Sequence, residues 1–181
     1  IKESEVRLLM EITKEVANRF YDFVFNWDYE TYLLVGGYGS GKSYHVAFKL
    51  VLECLRTKRK VLVIREVFDT LKESCYDLIH EILEDMGLIE TGHNQKQRSK
   101  NRVIALKSPM EFKFPNGSRI IFKGMDKPEK VKSINGVSVV WLEEASEIKY
   151  AGYKEMLGRI RNPSESLHFI LSLNPVDKEN W

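Results

Sequence analysis

The stretch Tyr32–Tyr44, Y-L-L-V-G-G-Y-G-S-G-K-S-Y, decides how the rest of the chain is interpreted. Tyr32–Val35 is an uninterrupted apolar run, which predicts a buried β-strand. Gly36–Ser43 satisfies the pattern G-x-x-x-x-G-K-[ST], in which backbone N–H groups surround a phosphate. After Lys42 the apolar spacing becomes helical, on a face made of Val46, Ala47, Leu50, Val51, Cys54 and Leu55. The stretch therefore predicts a strand, a phosphate-binding loop and a helix, in that order.

The residue types of this loop suit a triphosphate and a magnesium ion. Glycines let successive N–H groups point inward at an anion, and the following helix directs its positive dipole end to the same place. Lys42 would bring a charge to the β- and γ-phosphates, and the Ser43 hydroxyl would ligate Mg²⁺. The predicted nucleotide-binding residues are Gly36, Gly37, Tyr38, Gly39, Ser40, Gly41, Lys42, Ser43 and Tyr44.

Length and composition are those of one globular domain. The chain has 181 residues, 43% apolar and 30% charged, with a formal net charge of +2 that is too small to indicate nucleic-acid binding by itself. Cys54 and Cys75 fall on apolar helix faces, which predicts core residues of a reduced, intracellular protein. No apolar run approaches the ~20 residues of a membrane span, and the start does not resemble a signal peptide, so we expect no membrane contact.

Helices and strands alternate along the chain. The predicted elements are helices within 5–25, the strand 32–35, the P-loop helix, the strand Lys60–Arg65, the helix Thr70–Met86, the strand Val137–Leu142, the helix Ile148–Arg161 and the strand Leu167–Leu173. The residues expected to face inward on the other helices are Val6, Leu9, Ile12, Val16, Phe20, Phe23, Leu71, Cys75, Leu78, Ile79, Ile82, Leu83, Met156, Leu157 and Ile160. A hairpin is expected around Pro115–Ser118, and the basic stretch Thr91–Arg102 is expected to be an exposed loop. This order predicts an α/β fold with a mostly parallel central sheet and one added hairpin.

Two glutamates complete the predicted site. Glu143 and Glu144 follow an apolar strand, and ligand groups in parallel sheets collect at the carboxyl ends of the strands. Glu143 would hold Mg²⁺. Successive strand residues face opposite sides, so Glu144 could act as the base on an attacking water only if the chain turns there. The alternative is an ordinary acidic loop, and aspartate is the commoner metal-binding acid at such a position.

Polar residues at two further places are candidates for contact with the nucleotide. Ser172 and Asn174 end the last predicted strand and could hydrogen-bond the γ-phosphate or the attacking water, although Asn-Pro also favours a plain turn. Trp27 and Tyr29 lie just before the P-loop strand, where an aromatic ring either stacks on a base or belongs to the core.

Four motifs together resemble the ATPase domain of a tailed-bacteriophage terminase large subunit. They are V-G-G-Y-G-S-G-K-S, F-P-N-G-S-R-I-I-F-K-G-M-D-K-P-E-K, V-V-W-L-E-E-A and L-S-L-N-P, within residues 31 to 177. The resemblance is to the phage and prophage branch, and it implies a RecA/ASCE-like P-loop fold with ATP and Mg²⁺ as cofactors. It divides the chain into a helical segment, 1–30, that packs on the core, and a P-loop ATPase core, 31–181.

The resemblance also implies function and partners. Family members pump double-stranded DNA into a procapsid as a ring, usually a pentamer, on the portal protein, together with a small terminase subunit, in the host cell cytoplasm. Gly36–Ser43 would be the Walker A loop, Glu143 the Walker B acid, Glu144 the catalytic carboxylate, and Ser172–Asn174 the motif that couples hydrolysis to movement. The family nuclease domain is not expected within this chain, so no DNA cleavage is expected from it, and the isolated chain is expected to be a monomer.

Three matters stay open at the level of sequence. Hydrolysis also needs a positively charged side chain, the finger, that stabilises the charge of the transition state. The P-loop contains no arginine, so the finger must come from elsewhere. The candidates are Arg65, Lys130, Lys132, Arg159 and Arg161. DNA phosphates could meet the Gln95–Arg102 loop and the Lys127–Lys132 segment, although such charges are often only solvated. The alternatives to a motor are a P-loop kinase and a nucleotide-binding switch or assembly module without appreciable activity of its own.

Overall fold

One seven-stranded sheet organises the residues that the computed structural model describes, 15–89, 102–126, 134–159 and 167–175. The strands are β1 Thr31–Val35, β2 Lys60–Arg65, β3 Ile104–Lys107, β4 Met110–Lys113, β5 Arg119–Gly124, β6 Val139–Glu143 and β7 His168–Leu173. Across the sheet they lie in the order β1-β7-β6-β2-β5-β4-β3. The first five are parallel to one another, and β4 runs antiparallel to both of its neighbours, β5 and β3, which confirms the predicted fold class.

Helices cover both faces of the sheet. They are α1 Tyr21–Phe25, α2 Lys42–Arg56, α3 Phe68–Leu71, α4 Asp77–Asp85 and α5 Tyr150–Arg159, with 3₁₀ turns at Asn18–Phe20 and Ala145–Glu147. One core cluster lies between the sheet and α1, α2 and α4, and it includes Trp141 and Ile170. A second cluster, on the opposite face, includes Leu142 and Met156. Because both faces are covered, β2 and β6 are continuous apolar runs.

The predicted burial of the P-loop strand is half wrong. β1 is an edge strand whose residues alternate, so Tyr32 and Leu34 are buried while Leu33 and Val35 are 61% and 55% exposed. Only one face of this strand is covered, and an apolar run does not distinguish an edge strand from a central one. The P-loop helix α2 is confirmed, since its predicted face from Val46 to Cys54 is buried.

The predicted helix Thr70–Met86 is present, but it starts earlier and contains a π-helical turn. It begins earlier, as α3 at Phe68, continues through a π-helical turn over Lys72–Tyr76, and then becomes α4. Gly87, with φ +65°, follows its end as expected. The predicted inward residues are buried apart from Leu78, which is partly buried against the core.

The hairpin is confirmed and is part of a larger antiparallel unit. β4 and β5 pair around the Asn116–Gly117 turn, in which Gly117 has φ +87°. β3, which was not predicted, pairs with β4. The turn also contacts the end of α2, where Asn116 Nδ2 and Ser118 Oγ donate to the Cys54 carbonyl at 2.7 and 2.8 Å. The turn therefore caps the P-loop helix, because carbonyls in its last turn lack helical partners.

The predicted burial of the last helix and of the N-terminal segment is confirmed only in part. Met156 is buried as predicted, but Leu157 is 37% exposed, because it lies on the side of α5 turned away from the sheet. At the other end, Val16, Phe20 and Phe23 are partly buried against the core as expected. Outside the described residues lie Val6, Leu9, Ile12, Ile160, nearly all of the Thr91–Arg102 loop and the segment 127–133.

Both cysteines are free and fully buried, as the helical pattern predicted. Burial raises the pKa of the Cys54 and Cys75 thiols well above its usual value, so the neutral thiol is favoured. Among the described helices, none combines the length and the apolar character required to cross a membrane.

Candidate functional site

The predicted phosphate-binding loop connects β1 to the start of α2. Gly39 and Gly41 have φ values of +70° and +84°, a conformation that side chains disfavour, and α2 begins directly afterwards at Lys42. A β-carbon on Gly36 would lie 3.2 Å from Ser40 Oγ, so the loop is tight at its entrance as well. Gly39 and Gly41 therefore occupy positions that require glycine.

Lys42 lies at the centre of this loop. Its Nζ donates to the carbonyls of Gly36 at 2.6 Å and Gly37 at 3.0 Å, and to Ser40 Oγ at 3.1 Å. A fourth hydrogen bond, also 3.1 Å, reaches Asn174 Oδ1 beyond the end of β7. The P-loop lysine is thus linked directly to the other predicted motif of the site, 132 positions away in sequence.

Ser43 and Glu143 meet at the predicted magnesium position. Ser43 Oγ donates to Glu143 Oε1 at 2.6 Å, although the two residues are 100 positions apart. Glu143 is 6% exposed, and burial raises the pKa of its carboxyl group, while hydrogen bonds from Ser172 and Ser43 act in the opposite direction. A hydroxyl and a carboxylate are hard oxygen donors of the kind that Mg²⁺ binds, so the side chains present fit that ion.

Glu144 turns into the site through its backbone. Its φ and ψ of 51° and 49° are left-handed, and it is the one non-glycine residue with positive φ in the described part of the chain. Glu144 can join the site only if the chain turns at this residue, and its left-handed conformation is that turn. Asn174 Nδ2 lies 3.4–3.5 Å from the Glu144 carboxylate oxygens, so Asn174 contacts both Lys42 and Glu144.

Ser172 makes different contacts from those expected. Its side chain is 1% exposed; the hydroxyl donates to Glu143 Oε2 and accepts from Trp141 Nε1 at 2.8 Å. Through these bonds Ser172 holds the Glu143 carboxylate, a contact that was not predicted. Trp141, the first residue of the W-L-E-E motif, acts on Glu143 indirectly, because its indole N–H donates to the Ser172 hydroxyl that holds the carboxylate.

A cavity of about 410 Å³ brings these groups together. It is lined by Tyr38, Gly39, Ser40, Gly41, Lys42, Ser43, Tyr44, Arg65, Ser74, Glu143, Glu144, Ser172, Leu173 and Asn174. Ser74 was missed because it projects from the π-helical turn, which apolar spacing does not reveal. Within this cavity the phosphate-binding loop, both glutamates and Asn174 face one another.

Arg65 is the finger candidate that the structure places at the site. Its Nε lies 4.0 Å from Glu147 Oε2, and this buried nitrogen has no hydrogen-bond partner among the described residues. Lys130, Lys132, Arg161 and the side chain of Arg159 lie outside the described residues.

The two aromatic candidates differ in their surroundings. Trp27 belongs to the core margin, with its ring edge-to-face against Tyr32 and His168, so it is not placed to stack on a base. Tyr29 is 63% exposed and lines a second cavity, of about 860 Å³, between the N-terminal segment and the P-loop.

The chain is similar in sequence to known proteins of one family. The sequence profile of the phage terminase large subunit matches residues 28–181. The PBSX phage terminase large subunit of Bacillus subtilis (strain 168) is 49% identical over 170 residues, and the terminase large subunit of Bacillus phage SPP1 is 35% identical over 161 residues. These matches cover 94% and 83% of the chain, which spans 37% and 36% of the two relatives.

Solved structures share the fold at low sequence identity. The large terminase of a thermophilic bacteriophage superposes with a TM-score of 0.74 at 11% identity, over 93% of this chain and 41% of that one. The Phi-29 viral genome packaging motor assembly gives 0.59 at 13%, over 86% and 46%. In this chain β7 lies between β1, which leads into the P-loop, and β6, which ends at Glu143. The matching profile and the 49% identical relative show that the chain belongs to the phage terminase large subunit family.

Proposed function

We propose that the chain binds ATP with Mg²⁺, hydrolyses it, and serves as the ATPase part of a motor that moves double-stranded DNA into a procapsid. The observation that carries the proposal is the meeting of Lys42, Ser43, Glu143 and Glu144 in one cavity. The large terminase with TM-score 0.74 has also been solved with ATP-γ-S and with ADP, which supports a nucleotide as the ligand of this fold.

The phosphates would lie against the P-loop amides. An arriving γ-phosphate would draw Lys42 Nζ from the Gly36 and Gly37 carbonyls that it now contacts. Ser43 and Glu143 would hold Mg²⁺, which when bound supplies charge neutralisation between the β- and γ-phosphates. Ser172 keeps the Glu143 carboxylate in place for that contact.

Glu144 is the proposed base. Its carboxylate would accept a proton from a water aligned with the γ-phosphate, and Asn174 would hold that carboxylate by its amide. Because Asn174 also contacts Lys42, loss of the γ-phosphate would change both of its contacts at once. This gives the motif at the end of β7 a physical basis for the coupling role that the family resemblance implies.

Tyr29 and Arg65 are proposed for the two ends of the nucleotide. The exposed Tyr29 ring lines the second cavity, which also reaches Gly36 and Lys42, and we propose that it stacks on the base. Arg65 would supply positive charge in the transition state from within the same chain, because its 4.0 Å contact with Glu147 is loose enough to be exchanged. A finger from a neighbouring subunit is the alternative.

Phosphate release is the direct test. Lys42→Ala should abolish ATP hydrolysis and weaken nucleotide binding, whereas Glu144→Gln should bind ATP and fail to hydrolyse it. Lys154→Ala and Glu81→Gln change an exposed lysine and an exposed glutamate away from the cavity and should match the wild type. Undiminished hydrolysis in either site variant would overturn the assignment.

The same assay separates the alternative functions. A P-loop kinase would transfer the γ-phosphoryl group to an acceptor and release no inorganic phosphate, whereas an ATPase transfers it to water and releases inorganic phosphate without any added acceptor. Specific activity that rises with protein concentration would indicate a finger supplied by a neighbouring subunit. A near-zero rate at every concentration would instead favour the nucleotide-binding switch.

The motor role rests on the relatives and extends beyond the chain itself. We propose the partners expected of a terminase large subunit, namely double-stranded DNA, the portal protein, a small terminase subunit and further copies in a ring, usually a pentamer, in the host cell cytoplasm. The Gln95–Arg102 loop and the Lys127–Lys132 segment are the proposed DNA contacts, and binding through them should weaken steeply with salt. The division into a helical segment 1–30 and an ATPase core 31–181 is part of the same proposal.

A further inference from the structure

His45 joins the N-terminal segment to the phosphate-binding loop. The side chain lies one turn into α2 and is 7% exposed. Its Nε2 is 3.3 Å from the Ala17 backbone nitrogen and its Nδ1 is 2.7 Å from the Gly41 carbonyl oxygen. A backbone N–H only donates and a carbonyl only accepts, so the ring is the neutral tautomer with its proton on Nδ1.

The segment before α1 holds the loop at a second point. Arg19 Nη2 donates to the carbonyl of Ser40, the residue before Gly41. Phe20 stacks on the His45 imidazole, with ring centroids 4.1 Å apart and an interplanar angle of 17°. We call Ala17, Arg19, Phe20 and His45 the clasp.

The clasp acts on the two peptide groups that begin α2. A peptide bond is planar, so fixing the Ser40 carbonyl fixes the direction of the Gly41 N–H, and fixing the Gly41 carbonyl fixes that of the Lys42 N–H. These amides lie at the end of the phosphate-binding loop, where N–H groups meet an anion. The Gly41 carbonyl also accepts the His45 backbone N–H at 3.1 Å, so the imidazole adds a second donor to a carbonyl that α2 already holds, while Arg19 holds the Ser40 carbonyl before it.

We propose that His45 and Arg19 are positioning residues, which hold the last P-loop amides in their phosphate-binding orientation and so make nucleotide affinity depend on the N-terminal segment. The inference rests on the proposed function for its effect on nucleotide, but the restraint on the loop does not require a nucleotide.

Two variants of His45 separate this role from general stability. His45→Leu removes both ring hydrogen bonds and keeps an apolar side chain, whereas His45→Asn places an amide near the Nδ1 position and can still donate to Gly41. We expect a Kd for Mg-ADP that is weaker by roughly tenfold in His45→Leu and only partly restored in His45→Asn, which keeps the Gly41 bond and loses the Ala17 bond. The ATP concentration for half-maximal rate should rise in parallel, with kcat within about twofold.

Hydrogen exchange of the nucleotide-free protein tests the restraint itself. Deuterium uptake in a peptide covering 36–43 should be faster by roughly tenfold in His45→Leu and in Arg19→Ala, whose side chain is exposed and whose loss leaves the core intact. His80→Gln, on α4, is the matched control and should equal the wild type.

The outcomes distinguish the two proposals. Unchanged exchange in both clasp variants would overturn the inference, whether or not the protein binds nucleotide. If His45→Leu does not fold, Arg19→Ala alone decides. A wild type with no affinity for Mg-ADP would contradict the proposed function, while the exchange rates would still decide for or against the clasp.

Discussion

Glu144 adopts a left-handed backbone conformation that glutamate normally avoids. The φ of 51° places its carboxylate in the cavity with Glu143, on the side that a straight strand would deny it. Such a conformation costs a non-glycine residue about 1–2 kcal/mol. The residue best placed to be the base is therefore also a site of local strain, as functional residues often are.

Replacing Glu144 by glycine should raise stability while it abolishes hydrolysis. Glycine adopts positive φ without the β-carbon clash, so the free energy of unfolding in urea should increase by about 0.5–1 kcal/mol. Glu144→Gln retains the strained backbone and is the control, with stability within about 0.5 kcal/mol of the wild type. If the glycine variant were no more stable than the glutamine variant, the backbone at Glu144 would not be strained.

Lys49 is a buried lysine whose titration should make stability depend on pH. It is fully buried on α2, where its Nζ lies 3.8 Å from the Trp27 ring centroid and 4.7 Å from that of Tyr32. Burial lowers its pKa from 10.5 to about 7, while the nearby Glu53 carboxylate raises it. Above pH 7 the unfolded chain therefore binds more protons at this residue than the folded protein does.

Stability should consequently rise with pH through this group. Its contribution to the free energy of unfolding should increase by up to about 1.4 kcal/mol per pH unit between pH 7 and pH 10. Lys49→Met removes the titration, so in urea titrations from pH 7 to pH 9 the wild type should gain stability relative to the variant. A difference that stays constant with pH would show that Lys49 keeps its proton in the folded state.

At the scale of elements, the F-K-G motif at the end of β5 packs against the start of α3. A β-carbon on Gly124 would lie 2.7 Å from both the Phe68 Cβ and the Phe68 backbone nitrogen. The backbone of the following residue also pairs with β2, since Met125 N donates to the Arg65 carbonyl at 2.9 Å. Gly124 therefore helps to place Arg65 beside the cavity through close backbone packing.

Gly124→Ala should destabilise the protein by about 1–3 kcal/mol, because the start of α3 would have to move. Gly152→Ala, on α5, is the matched control. Its new methyl group would meet only the flexible end of Met125, and alanine favours a helix, so stability should be unchanged or slightly higher. Thermal unfolding of both variants checks this, and equal melting temperatures would contradict the packing argument.

Sequence periodicity predicted which helices and strands form better than it predicted their burial and their tertiary contacts. The hairpin at Asn116–Gly117 follows from local turn chemistry and is present, whereas its contact with the end of α2 is tertiary and left no sequence signal. The π-helical turn that presents Ser74 was likewise invisible, because apolar spacing hardly changes across it. β1 was predicted as buried because its composition does not report its place at the sheet edge.

At the scale of the whole molecule, the site depends on the order of strands. β7 lies between β1 and β6, so Asn174 reaches Lys42 on one side and Glu144 on the other. Motif spacing predicted that Lys42 and Glu143 converge, and the Ser43–Glu143 hydrogen bond is consistent with this. The sequence did not show that β7 lies between them, nor the role of Ser172 in holding Glu143, because strand pairing is set by contacts distant in sequence.

The most direct test is a crystal structure of the chain with Mg²⁺ and a non-hydrolysable ATP analogue. We expect Ser43 Oγ about 2.1 Å from Mg²⁺, with Glu143 on the same ion directly or through one water. Lys42 Nζ should lie about 3 Å from a γ-phosphate oxygen, and the Glu144 carboxylate should face that phosphate across one water molecule. A triphosphate bound elsewhere, or bound with both glutamates turned away from it, would contradict the central claim.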